Sequence, residues 1–332
     1  MTTTRQPRSG PRRAVAGTPP RTPASVRRTT SIDVTRPRGL TGPVVALLTG
    51  QDLATDADGG ATVVGRYSAE VPIDPGTATA LGFAGDPGAA DLADLVGAGL
   101  RSGFGRRVAA SLPGEAEART LRYSLLDDLA GAFLVSGYAP LRAGLLAADA
   151  ETAKQLAPHQ ADICVGWAEG GPVHRALAER GHTAVPTGPP APPLERADPA
   201  GWHPLPLLGP GTVRRRRRLD VTRAREGGLL VQSHFRDSYA SDEPEMVMHE
   251  YEIDAAVADD RIARLDVEAR VLPWAACLGA VASAARVVGV AVDDLARVAR
   301  TELVGPATCT HLTSTIRSLV DVRALAPLVG AR

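Results

Sequence analysis

A five-residue pattern occurs twice in this 332-residue chain, as Ile32-Asp33-Val34-Thr35-Arg36 and as Leu219-Asp220-Val221-Thr222-Arg223, 187 positions apart (219 − 32). Arginines lead into both copies and β-branched residues fill them, which is the composition of a strand. Pro37 stops the first. Such self-similarity predicts two related halves. Residues 62–71 after the first copy and 247–254 after the second read as further strands. Each half then turns helical, over 90–100 and 119–129 in the first and over 275–288, 293–303 and 309–320 in the second. The expected fold class is α+β: two related halves, each an antiparallel β-meander followed by helices. The first half has no cysteine or histidine where the second does, so it is read as a degenerate half that supplies packing surface.

Boundaries follow from composition. Residues 1–28 contain no acidic residue and no apolar segment, which predicts a disordered basic tail. The degenerate half then spans 29–146. Residues 147–210 hold a helix closed by Gly181 and a proline-rich linker over 186–193, and 211–332 form the second half. Its clearest strand is 261–271, where Leu265, Val267, Ala269 and Val271 alternate with Asp266, Glu268 and Arg270. An Asp259-Asp260 turn should join it antiparallel to the strand before it.

The chain is 44% hydrophobic and 22% charged, as globular proteins are, and its net charge of +0 sets up no field toward polyanions. No aromatic residue interleaves with Arg214 to Arg218, so that run reads as exposed arginines at the start of a strand and not as a nucleic-acid surface. Three widely spaced cysteines argue against a disulfide framework and for a reducing cytoplasm. No apolar run approaches the ~20 residues of a membrane span. The expected partner is a small-molecule substrate, with no nucleic acid and no membrane.

Chemistry concentrates at Gly305-Pro306-Ala307-Thr308-Cys309-Thr310-His311-Leu312. Thr308 is an acceptable N-cap, which puts Cys309 in the first turn of a helix, where unpaired N–H groups favour a thiolate. His311 follows about 200° further round the helix, so one ion could take both only from above the helix end. Cys277 comes at the start of an earlier helix, just after the 261–271 strand. Cys164, beside Ile163 and Trp167, reads as a core position.

From residue 216 to residue 324 the chain resembles a bacterial domain-of-unknown-function family, number 2889. The resemblance rests on the arginine-rich start of the strand, on Phe235-Arg236-Asp237-Ser238-Tyr239, on Arg261-Ile262 through Ala269, on Pro273 through Cys277, and above all on Cys309-Thr310-His311-Leu312. Thr308 stands where such relatives usually carry glycine. The order of hairpin, Cys277, helix, Cys309 and His311 is also similar to iron–sulfur scaffold proteins of the NifU/IscU type. That likeness implies zinc or a nascent cluster held by cysteines, a histidine and an acidic residue, with Glu245 at the acidic place. The first cysteine of that set has no counterpart, which disfavours a cluster against a mononuclear ion.

The leading expectation is a metal-binding protein, zinc or iron, and a metal-dependent hydrolase or lyase where the last coordination position is open. Its ligands would be Cys277, Cys309, His311 and one more from Glu245, Asp237, His234 or His249, with Asp237 or His234 as the alternative proton carrier. Three other readings stay open: a cluster carrier, a metal-free enzyme with Cys309 as nucleophile and His311 or His234 as base, and a non-catalytic binding module.

Overall fold

In a computed structural model, described here over residues 7–86, 90–145, 150–241 and 244–330, the chain is a mixed α/β protein built on one large antiparallel sheet. The strands are β1 (Ser25–Thr35), β2 (Val44–Thr55), β3 (Ala61–Asp74), β4 (Thr79–Ala80), β5 (Ala84–Asp86), β6 (Val213–Arg223), β7 (Leu229–Tyr239), β8 (Met246–Ala258) and β9 (Arg261–Val271). They lie in the order β4-β3-β2-β1-β6-β7-β8-β9, with β5 added on β3. The two copies of the repeated pattern fall on β1 and β6, which pair antiparallel at the middle of the sheet. Thr30 faces Arg217, and these two positions are also 187 apart, so the register is centred on the repeat.

Alternation along each strand gives the sheet two different faces. On one face lie the helix Leu121–Ser136 over β1 to β3, with the helix Phe104–Ser111 packed against it, and Thr310–Ser318 over β7 and β8. Two apolar clusters form beneath them. One is built on Ile32, Leu48, Val71, Phe104, Leu125 and Leu126, the other on Val221, Phe235, Tyr251, Leu295, Leu312 and Ile316. Between the clusters runs a charged seam with a cavity of about 30 Å³, lined by Arg28, Asp128, Arg217 and Asp321 among others. That is room for a water or two.

The other face is covered by segments that were expected to be tail and linker. Residues 8–13 run along the end of β9, with Arg12 bridged to Val271. The Val15 N–H donates to Glu250, and Trp202 donates to the Thr18 hydroxyl. Thr18 is buried, so the amino-terminal residues from 7 onward are part of the fold rather than a free basic tail. Pro190 bridges Met246 at the start of β8. Only glycine allows that approach at 188, because a Cβ there would meet the Val247 carbonyl oxygen.

Several expectations carry over. The Asp259-Asp260 turn has positive φ at both residues (49° and 58°), as a two-residue hairpin of twisted strands needs, and β8 and β9 pair antiparallel. The helix Pro172–Arg180 ends on Gly181 at φ 71°. Others change. Residues 275–287 form successive 3-10 turns rather than an α-helix, and only Ala90–Leu95 of the 90–100 stretch is helical, also as 3-10 turns.

The largest correction concerns the arginines. Arg214, Arg215, Arg216 and Arg218 are each 4% exposed or less. Alternation sends Arg215 and Arg217 to the helical face and the other three to the opposite face, and carboxylates meet them on both. Arg214 makes a two-pronged contact with Asp33 (2.7 and 2.6 Å), Arg216 reaches Glu245 (3.3 Å), and Arg218 pairs with Asp220 (2.9 Å). An arginine can be buried where a carboxylate answers it directly.

Removing one partner of such a pair should cost far more than removing an exposed one. Asp33→Ala, which strands Arg214, is expected to lose about 3–5 kcal/mol in urea unfolding. Glu151→Ala, which breaks an exposed pair with Lys154, should lose less than about 0.5 kcal/mol. Equal losses would contradict a buried ion-pair seam.

Candidate functional site

On the helical face, β7, β8 and one helix end bring three potential ligands together. Asp237 on β7 lies directly opposite His249 on β8, and the pairing slips by one residue immediately after Asp237. A bulge of this kind re-aims neighbouring side chains. The helix Thr310–Ser318 starts above this point with Cys309, not Thr308, as its N-cap. Thr308 instead donates its hydroxyl proton to the Gly305 carbonyl. His311, in the first turn, drops onto the sheet.

One ligand atom each from Asp237, His249 and His311 lies within 4.8 Å of the other two. His311 Nε2 is 3.5 Å and His249 Nδ1 is 3.8 Å from the same oxygen, Oδ2 of Asp237. The two imidazoles stack with centroids 3.6 Å apart. Their side chains are 17% and 16% exposed, while that of Asp237 is fully buried. Solvent therefore reaches the two rings but not the carboxylate.

The electrostatics favour neutral rings. Burial, opposed by Asp237 and assisted by Arg215, brings His249 down to about 4. Burial also holds His311 well below its ordinary value, helped by His249, Arg215 and Arg217. Both rings then offer lone pairs at neutral pH. Nδ1 of His249 is buried and has no hydrogen-bond partner among the described residues. On the far side of His311, Nδ1 is 3.8 Å from the Cys309 sulfur.

Asp237 is fixed from behind. Arg215 donates to both of its oxygens (2.8 and 2.9 Å) and also to Asp128 (3.0 Å). Asp128 in turn accepts from Arg217 (2.7 Å) and is held well below the usual carboxylate range despite its burial by Arg217 and Arg215. Both guanidiniums sit over the Phe235 ring, at 5.0 and 4.7 Å. Together they lock the seam against Asp237.

Of the residues singled out from sequence, the structure brings Asp237, His249 and His311 together. His249 had been only one of several options for a fourth ligand. Cys277 and Cys309 are buried but outside this group. His234 and Glu245 belong to the opposite face of the sheet. His234 contacts Glu250 at 2.8 Å, and Glu245 accepts from Ser238 and Arg216. Neither reaches the site, so Glu245 as ligand and His234 as its proton carrier are corrected. The physical reason is parity: His234 and Asp237 are three residues apart on one strand, and successive side chains alternate faces.

Residues 213–324 match the model of a family described as a protein of unknown function (DUF2889). The match begins at the first residue of β6 and includes all three residues of the site. No curated protein and no solved structure matches the chain. Among the described residues, no helix is long and apolar enough to cross a membrane.

His234 and His203 provide a pH test of the opposite face. Burial takes His234 to about 4 and His203 to about 3. Both are depressed below the unfolded value of ~6.5, so as pH falls below 6.5 the unfolded chain takes up protons first. The stability contributed by the neutral rings is whole above pH 6.5 and is lost as pH falls toward 4. Urea midpoints measured from pH 7 to 4 should decline through this window. A flat profile down to pH 4 would contradict the buried neutral rings.

Proposed function

We propose that Asp237, His249 and His311 hold one zinc or iron ion and that the chain is a metal-dependent hydrolase or lyase. The observation that carries this reading is the Nδ1 of His249, buried beside two other ligand atoms with no hydrogen-bond partner among the described residues. Ligands at ~2.1 Å from an ion lie roughly 3.0–3.4 Å from one another; the separations of 3.5 and 3.8 Å to Asp237 are close to that, and the stacked imidazoles, 16° from parallel, would turn apart so that both lone pairs meet the ion. Two imidazoles and one carboxylate suit iron(II) or zinc and leave coordination positions open. This donor set replaces the two thiolates expected from the sequence.

A bound ion would act as a Lewis acid on a substrate oxygen. The chain's own residues orient the set. Arg215 fixes the plane of Asp237, Asp128 fixes Arg215, and with Nε2 of His311 on the ion its Nδ1–H would face the Cys309 sulfur, 3.8 Å away. Asp128 and Asp237 balance Arg215 and Arg217, so the ion adds its full charge to a locally neutral seam.

A second reading rests on the same contacts. Cys309, His311 and Asp237 form a row, sulfur to Nδ1 and Nε2 to carboxylate, in which a thiol, a base and an orienting acid could act without metal.

We also propose that the two halves arose by duplication. Arg28 and Arg215 are 187 positions apart, and each forms a two-pronged pair with the aspartate directly opposite on the next strand, Asp52 and Asp237. The pairing slips immediately after each of those aspartates. Gly65 faces Asp52 where His249 faces Asp237, and Arg122 stands two residues after the N-cap Thr120 as His311 does after Cys309. By this correspondence the first half keeps the aspartate and has lost both histidines, which gives one site per chain.

The test is elemental analysis of untagged protein, alone and as variants. About one zinc or iron per chain is expected, absent from His249→Ala and His311→Ala. Cys309→Ser should keep the ion with affinity lowered about 10–100-fold. Protein that takes up no metal after anaerobic reconstitution would overturn this reading. Loss of catalytic turnover on alkylating Cys309 in such metal-free protein would then favour the second.

A further inference from the structure

The charged seam between the two apolar clusters is short of carboxylates. Three aspartates line its cavity, and each is shared by two arginines. Asp128 accepts from Arg215 and Arg217, and Asp127 from Arg300 and Arg317. Asp321 accepts from Arg119, while Arg28 lies 3.3 Å from its other oxygen. Of these arginines only Arg28 and Arg215 have a further carboxylate among the described residues, in Asp52 and Asp237. Six arginines thus meet five aspartates, and of the six only Arg300 is exposed. Charges balance around Asp237, so the excess lies at the end of the seam away from it.

The cavity of about 30 Å³ lies where β1 meets β6, beside Thr30 and Arg217, the pair on which the register is centred. Arg28, Arg119 and Arg317 share its wall with these two, as do Ser233 and Ser314. Arg217 is the group left incomplete. Its Nε donates to Asp128 (2.7 Å) and its Nη2 to the Ser314 hydroxyl (2.8 Å). Its Nη1 is buried and has no hydrogen-bond partner among the described residues. Each carboxylate on the wall is already committed to two guanidiniums, so none is left over for it. About 10–15 Å³ of such space holds one water. This cavity therefore has room for two waters or for one monatomic anion of chloride's size, and not for a tetrahedral oxyanion.

We propose that this cavity is a halide site, which takes one chloride or bromide ion from solution with Nη1 of Arg217 as its donor. A hydrogen bond from a guanidinium to an anion is stronger than one to a neutral acceptor, and a single negative charge cancels the excess in the seam. The half-buried Arg217, Ser314 and Arg317 mark the way in from solvent. Seated between β1, β6 and the helices Leu121–Ser136 and Thr310–Ser318, the ion ties the first half of the chain to the second. It uses none of the ligands of the Asp237/His249/His311 group.

Urea unfolding of the full-length protein, with gluconate replacing chloride at constant ionic strength, is the first readout. The midpoint should rise saturably with chloride and with bromide, and without saturation with sulfate, which is too large for the cavity. The halide response should persist in His249→Ala, so failure of the metal site is separable from failure of this one. Arg217→Gln removes the donor and leaves Asp128 its bond from Arg215. It should weaken halide binding at least about ten-fold. Crystals of the wild-type protein grown in bromide give a readout independent of variant folding: one anomalous peak is expected in the seam, against Arg217. A midpoint indifferent to halide, or bromide bound at the surface alone with water in the cavity, would rule the site out.

Discussion

The structure depends on neutralising guanidinium groups inside a sheet. Five consecutive arginines in a central strand cannot all reach water, and the charge of an unanswered buried ion is too costly to keep. The answering carboxylates come from both halves. Asp128, from the first half, holds Arg215 and Arg217 of the second. Asp321, from the second, holds Arg119 and approaches Arg28 of the first. This reciprocal exchange joins two apolar clusters that would otherwise be separate cores, and it fixes the carboxylate around which the candidate site is built.

Sequence reasoning reached the parts governed by local pattern. The repeated pentapeptide marked the two central strands, the alternation over 261–271 marked β9, and Gly181 marked a helix end. It missed β2 and β7 for opposite reasons. In β2, Val44 to Leu48 is a short apolar run without alternation, which helix and strand share. In β7, His234, Arg236, Asp237 and Ser238 show no apolar alternation, yet all are buried because each has a partner across the sheet or above it. Only tertiary pairing makes such a strand.

The site was legible in part for the same reason. Asp237 and His311 could be chosen by residue type, but which of His234, Glu245 and His249 joins them is decided by the faces that β7 and β8 present to each other, and β7 was not recognised as a strand. Knowing that β7 was a strand would have sent His234 and Asp237 to opposite faces by counting alone. The cysteines pose a different problem. Cys164 is brought beside the turn that carries Cys309 by the Val165 to Thr308 hydrogen bond, between residues more than a hundred positions apart, and no spacing in the chain encodes that contact.

The pairing of β1 with β6 also has a consequence for synthesis on the ribosome. Thr30 must wait for Arg217, and at ~5–20 residues per second that is a delay of roughly 10–40 s. Throughout it, β1 presents a bare edge, the kind of strand that nucleates association between chains. Arg28 meets Asp52 early, but the carboxylates that answer Arg27, Asp198 and Asp220, are made only later, so the early intermediate carries a cation without its counter-charge. That residual charge along the open edge acts as a gatekeeper, discouraging a neighbouring nascent chain from docking where β6 belongs.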